Sequence, residues 1–326
     1  MKRPSVPAWL RDKRVYVTLE LIGLAVLLGA LGYAMRDVWD DAAPRLRNAS
    51  VADLGIATAI IAAYYAVFVL GWQRILAAYG IQVPYRVALQ AEMLSMLAKY
   101  VPGGVWTPAA RVVALRRFGV RDTPVVLASV LLEAGLSAVA GVGVFLVGLT
   151  LVSDADAPLL PLAAFTVVVA ALLHPRVFGP VARRLLRPFG AAEVRPLPAR
   201  TNFELLAFYA LTWPLGGAAL FFLLRAVGGD PDAAAIPFLG GTAAVGAIVA
   251  VLAVFAPSGL GVREASMYGL LLAVASEAVA LGATVLNRLA ITVVEAALLL
   301  LGVAMIKRRR EEPEARRLAP APAPDR

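Results

Sequence analysis

Residues 97–111 read LAKYVPGGVWTPAAR, a lysine, a Pro-Gly-Gly break and an arginine set into a chain otherwise dominated by Ala, Val and Leu. Outward from this stretch run apolar segments long enough to cross a hydrocarbon core of about 30 Å, which takes roughly 20 helical residues. They lie at 15–35, 51–72, 124–152, 159–174, 203–227 and 280–306. The Pro-Gly-Gly break sits inside a further apolar segment, 86–118, and a second break, APSGLGVRE at 256–264, sits inside 236–276. Of the 326 residues 60% are hydrophobic and 16% charged, and the mean hydropathy is +0.78, outside the soluble globular range. The predicted fold class is all-α: a polytopic membrane helix bundle of about six full spans plus two Pro/Gly-broken helical hairpins.

The chain has no Cys and a single His, which excludes disulfides, thiol nucleophiles and Cys/His zinc sites. No Ser-His-Asp set, phosphate-binding Gly-rich loop or Asp/Glu metal cluster is present either. The expectation is therefore of no catalytic residues, no metal and no cofactor. The N-terminal MKRPSVPAWLRDKR followed by an apolar stretch mimics a signal peptide, but no small-residue cleavage site precedes Arg36-Asp37, so 15–35 reads as a retained first span.

The net charge of +9 is distributed over alternate loops. Residues 1–14 carry Lys2, Arg3, Arg11, Lys13 and Arg14; 111–121 carries Arg111, Arg116, Arg117 and Arg121; 174–200 carries six arginines. The loops SDADAP (153–158) and GGDPDAAAI (228–236) carry only acidic charge. Basic loops stay in the cytoplasm, so both termini are expected there and the protein in the plasma membrane. The basic residues flank spans and lack interleaved aromatics, which argues against a nucleic-acid partner. The partners expected are membrane lipids.

Parity of the crossings makes each broken segment enter and leave on one side, the first from the cytoplasm and the second from outside. The order span, span, broken hairpin, span in 15–152 then recurs in 153–310 with every direction reversed. That order predicts an inverted-topology repeat, the architecture that builds a site where discontinuous helices meet near the midplane. YVPGGVW at 100–106 and FAPSGLG at 255–261 echo one another at the corresponding places. Residues 1–14 read as a cytoplasmic N-terminus, and the charged, Pro-Ala-rich stretch 311–326 as a disordered cytoplasmic tail.

Read as a helix, 86–100 places Glu92, Ser95 and Lys99 on one face. Lys99 either faces a wet interior or snorkels to the interface. Pro102 removes a donor and Gly103 and Gly104 permit left-handed turns, so the helix that follows starts with bare N–H groups, which suits an anion. Such backbone is tolerated at this depth only where protein or a water-filled cavity covers it. The second break brings Arg263 and Glu264 directly behind its turn, either as a cavity-facing set or as a pair at the outer interface. Ser129, Glu133 and Ser137 line up on one span, and Thr284, Arg288, Thr292 and Glu295 share one face of the last. Glu133 is a candidate counter-ion for Lys99, Arg111 or Arg288. Pro214 is expected to kink its span, Ser137 and Gly141 to serve helix packing, and His174 to lie at the interface.

KYVPGGVW at 99–106 with Arg111 and RRFG at 116–119, the intramembrane Glu133, APSGLGVRE at 256–264 and NRL at 287–289 together resemble the transmembrane region of the lysylphosphatidylglycerol synthases, a flippase-like membrane family. The resemblance covers most of 15–306. In the bifunctional synthases a soluble aminoacyltransferase domain follows; it is expected to be lacking here, so aminoacylation is not implied. What the resemblance implies is the membrane half, which moves lipid between leaflets. On that footing Lys99, Tyr100, Pro102, Gly103, Gly104, Arg111, Glu133, Pro257, Ser258, Gly259, Gly261, Arg263, Glu264 and Arg288 are the residues expected to bind the headgroup of an anionic phospholipid or polyprenyl-phosphate-linked lipid. The competing expectations are a scaffold for a partner glycosyltransferase or lipid synthase and a secondary transporter of a small anionic solute.

Overall fold

The computed structural model describes residues 39–96, 98, 106–152, 167–186, 195–253, 256 and 259–318. The described residues are all-helical, as expected. The main elements are α1 (Val51–Ala78), α2 (Tyr85–Ser95), α3 (Trp106–Arg116), α4 (Thr123–Leu149), α5 (Pro175–Leu186), α6 (Ala199–Ala226), α7 (Ile236–Leu252), α8 (Val262–Leu271) and α9 (Glu277–Leu318). Five segments are long and apolar enough to cross a membrane: Val51–Ala78, Thr123–Leu149, Ala199–Ala226, Ala233–Leu252 and Glu277–Gly302. The expected span 15–35 and the first half, 159–166, of the span expected at 159–174 lie outside the described residues.

Local chemistry sets the helix ends. The Ser50 hydroxyl accepts from the Asp53 amide at 3.3 Å and opens α1, and the Asp122 carboxylate accepts from the Val125 amide at 3.2 Å and opens α4. Both α1 and α6 close on a glycine in the left-handed region, Gly80 (φ +82°) and Gly228 (φ +81°), a conformation that costs glycine no steric penalty.

α1 and α6 form the antiparallel centre, with Tyr64 beside Trp213 (6.0 Å between rings) and Phe68 beside Tyr209 (5.0 Å). At one end of the bundle Arg74 stacks on Phe208 at 4.6 Å, and the Arg116 guanidinium donates to Thr123 at 2.7 Å. The first broken hairpin, α2 and α3, begins and ends at this Arg-rich end. At the other end the Ser50 amide donates to Ala226 O at 2.9 Å, and Pro231, Val274 and Ser276 line one cavity of about 280 Å³. The second broken hairpin, α7 and α8, begins and ends there.

The first arm of the second hairpin is much the longer: with the turn Ala233–Ala235 it reaches 20 residues, against 11 for α2. Its sequence, IPFLGGTAAVGAIVAVL, carries no charge and no interior proline, so nothing stops the helix before Leu252. α9 runs to Leu318 and so takes in 311–318 of the stretch read as tail. Apart from Pro313, the residues there are Glu, Arg, Ala and Leu, good helix formers that propagate a helix already nucleated. Residues 319–326 lie outside the described residues.

Contacts between elements come in matched sets. Setting α1, α2, α3 and α4 against α6, α7, α8 and α9, α2 touches α3 as α7 touches α8, and α3 touches α4 as α8 touches α9. Likewise α1 touches α2 as α6 touches α7, α4 touches α6 as α9 touches α1, and α4 touches α7 as α9 touches α2. Only small residues permit the closest of these approaches. A Cβ on Gly217 of α6 would lie 2.1 Å from the Ile236 carbonyl oxygen, and one on Gly141 of α4 would lie 2.4 Å from the Ala244 side chain. Gly141 is thus the packing position expected. Outside these seams Leu211 (76% exposed) and Val293 (59%) present apolar surface suited to lipid.

Gly217→Ala, which meets backbone and cannot be accommodated by a side-chain shift, is expected to lower stability by about 1–3 kcal/mol. Gly143→Ala, with no atom within 4 Å of the new methyl, is expected to leave it unchanged. Thermal unfolding of the purified variants in detergent measures both.

Candidate functional site

α2 and α3 run antiparallel, which brings Glu92 of the first opposite Arg111 of the second. α4 passes behind them with Glu133 at the same level. The Arg111 guanidinium is held by both carboxylates, Nη2 against Glu92 and Nη1 against Glu133. Its Cζ lies 4.5 Å from the centroid of the Trp72 ring of α1, a cation–π contact. Trp72 is fixed in turn by an Nε1–H donated to Ser129 Oγ at 3.0 Å, and the Tyr209 hydroxyl of α6 donates to Glu133 at 3.5 Å. Five helices therefore converge on one guanidinium. Arg111 and Glu133 are almost wholly buried, with side chains 6% and 5% exposed, and Arg111 Nε is a buried donor without a partner among the described residues. Two carboxylates face one guanidinium, an arrangement of net charge −1 among the described residues.

The second break solves the same problem differently. Gly259 (φ +66°) and Gly261 (φ +84°) turn the chain, and glycine at the first is required by space as well, since a Cβ there would lie 2.1 Å from that of Ala250. Glu264 uses one carboxylate oxygen to accept from the Gly261 amide at 2.7 Å, capping α8, and presents the other to Arg288 of α9 at 3.4 Å. Arg263, on the first turn of α8, packs its stem near Gly246 of α7. It is half-buried and makes no ion pair among the described residues. Here one carboxylate is shared between a guanidinium and the backbone of the break.

Tyr64 of α1 connects the halves, lying within electrostatic reach of Arg263, Glu133 and Glu92. Its neighbour Tyr65 donates to Glu295 of α9, which is 4% exposed. Of the residues the sequence nominated, Arg111 is joined to Glu133, and Glu264 to Arg288 and the Gly261 amide. Lys99, Tyr100, Pro102, Gly103, Gly104, Pro257 and Ser258 lie outside the described residues. Thr284 and Glu295 are buried as their shared face predicts, but Thr292 is exposed. At about 100° per residue the eight-residue step from Thr284 carries Thr292 roughly 80° off that face.

Sequence reasoning placed Glu92 on a polar stripe without recognising it as the second carboxylate on Arg111, and it passed over Trp72, Tyr209 and the Tyr65–Glu295 pair. The available signal was the set of aromatic residues with polar tips inside spans, where a hydroxyl or indole N–H seeks a partner.

An all-helical bundle with this many apolar spans and a charge cluster in its interior defines an integral, multi-pass membrane protein. Residues 21–298 match the lysylphosphatidylglycerol synthase TM region, and the chain belongs to that family. No curated protein matches the chain.

The two carboxylates on Arg111 give an ordering of variants. Arg111→Gln leaves two buried carboxylates without a counter-ion and is expected to cost about 3–5 kcal/mol, seen as a collapse in membrane yield. Glu133→Gln leaves Arg111 paired with Glu92 and is expected to cost clearly less. Parallel expression and detergent-stability measurements rank the two.

Proposed function

We propose that the protein translocates an anionic phospholipid or polyprenyl-phosphate-linked lipid between the leaflets of the plasma membrane, without bond chemistry. The observation that carries this reading is Arg263: a half-buried guanidinium beside the N-terminus of α8, with no ion-pair partner among the described residues. A phosphate offers it charge-assisted, bidentate acceptors, and the free N–H groups of the helix terminus add to the attraction. The acyl or polyprenyl chains stay in the bilayer, and only the headgroup needs a polar route. Arg288, whose contact with Glu264 is long, is the second cation available to it.

The halves 15–152 and 153–310 are proposed to be an inverted-topology repeat. The matched sets of helix contacts and the hairpins' origin at opposite ends support it. The Arg-rich end, carrying Arg86, Arg116, Arg117, Arg121 and Arg200, is proposed to face the cytoplasm with both termini.

Arg263→Gln is expected to slow leaflet exchange of a labelled anionic lipid in liposomes roughly tenfold or more, the equivalent of one lost charge-assisted contact, while membrane yield is retained. Exchange at the wild-type rate would remove the cationic route and leave the scaffold reading in its place. The chain's lack of cysteine makes the orientation testable by labelling. A cysteine at 231 is expected to react from outside the cell, and one at 121 only after the membrane is opened.

A further inference from the structure

We propose that the Glu92–Arg111–Glu133 cluster is a proton-binding site that takes up one exchangeable proton, and that this uptake is linked to the arrival of the anionic headgroup. The second clause rests on the lipid reading above; the first stands on the geometry alone. Two carboxylates contact one guanidinium in a site where the side chains are 13%, 6% and 5% exposed. With both acids ionised the cluster carries one uncompensated negative charge away from water, which is costly unless a proton or a cation neutralises it.

Among the described residues, the groups facing Glu133 from its neighbours do not supply that charge. α1 presents Trp72 and Tyr64, α3 presents Arg111, already counted, and α6 presents Tyr209. α7 has no titratable residue, and α5 turns Arg176, Arg183 and Arg184 to the surface. Beyond α3, the antiparallel α2 contributes Glu92 itself. Uptake forms one O–H bond on the carboxylate pair, the proton coming from water, and no other bond changes. The two acids act as a coupled unit and the proton belongs to the pair.

Linkage to the headgroup follows from charge. Protonation changes the cluster from −1 to neutral, so an anion held by Arg263 nearby favours the protonated form, and by reciprocity acid strengthens headgroup binding. The Arg111 Nε–H, without an acceptor among the described residues, is a further donor inside the same cluster.

The test is infrared spectroscopy of the full chain in nanodiscs at about pH 6, where ordinary carboxylates with pKa values near 4 are ionised. Wild type is expected to show the C=O stretch of one protonated carboxylic acid. Glu133→Gln should lose it, because the remaining carboxylate then matches Arg111 one to one; Glu92→Gln should lose it for the same reason, and serves if the first variant does not fold. Absence of the band from wild type would overturn the proposal, and would mean that another cation, with Lys99 the first candidate, completes the cluster. A band that persists undiminished in both variants would overturn it as well. Short-chain phosphatidylglycerol added to the detergent-purified protein in weak buffer, at a higher pH where the lipid-free protein has lost the band, should draw up to one proton per chain. No uptake at that pH, with the band present at about pH 6, would sink the linkage and keep the proton site. A liposome assay without lipid exchange, with the band present, would instead sink the lipid reading alone.

Discussion

The contact on which the rest of the bundle depends is the guanidinium of Arg111 between Glu92 and Glu133. An arginine at the centre of a span costs about 2.5–3.5 kcal/mol on insertion scales, and this one is tolerated because two carboxylates and the face of Trp72 reach it together. Each partner comes from a different helix, so satisfying the charge fixes α1, α2, α3 and α4 against one another, and Tyr209 adds α6. A helix in lipid gains little from apolar contact with its neighbours, since lipid tails are equally apolar. Specific position has to come from polar contacts such as these and from close backbone approaches such as Gly217 against Ile236.

The second half meets the same constraint with the opposite balance. Glu264 divides its two oxygens between the backbone of the break and Arg288, which leaves Arg263 without a carboxylate of its own among the described residues. Tyr64 lies between the two clusters, within electrostatic reach of Arg263, Glu133 and Glu92. Helices broken at depth put helix termini and charged first-turn residues where unbroken spans could offer only side chains along their length.

The unequal arms of the two hairpins are a further consequence of local chemistry. α2 carries Arg86, Gln90 and Glu92 within 11 residues, whereas α7 carries no charge in 17. An uncharged helix with small residues along it can run deep between α4 and α6, and α7 does so.

By itself the sequence determined the class and the punctuation. Apolar length gave the spans at 51–72, 124–152, 203–227 and 280–306 to within a few residues of α1, α4, α6 and the apolar part of α9, because in hydrocarbon a helix must satisfy its own backbone over the full width of the membrane. Proline and glycine placed both breaks, and the motifs around them gave the family. The candidate site was half legible. Glu133 stood out as an acid in an apolar span, but three cations were open to it, and periodicity along one helix carries no information about which neighbour it faces. Only the tertiary structure decided that Arg111 is the partner, that Glu92 shares it, and that Arg263 has no ion pair among the described residues. Those outcomes depend on how far α2, α3 and α4 rotate and slide against one another, a balance of many helix contacts that no single stretch of sequence encodes.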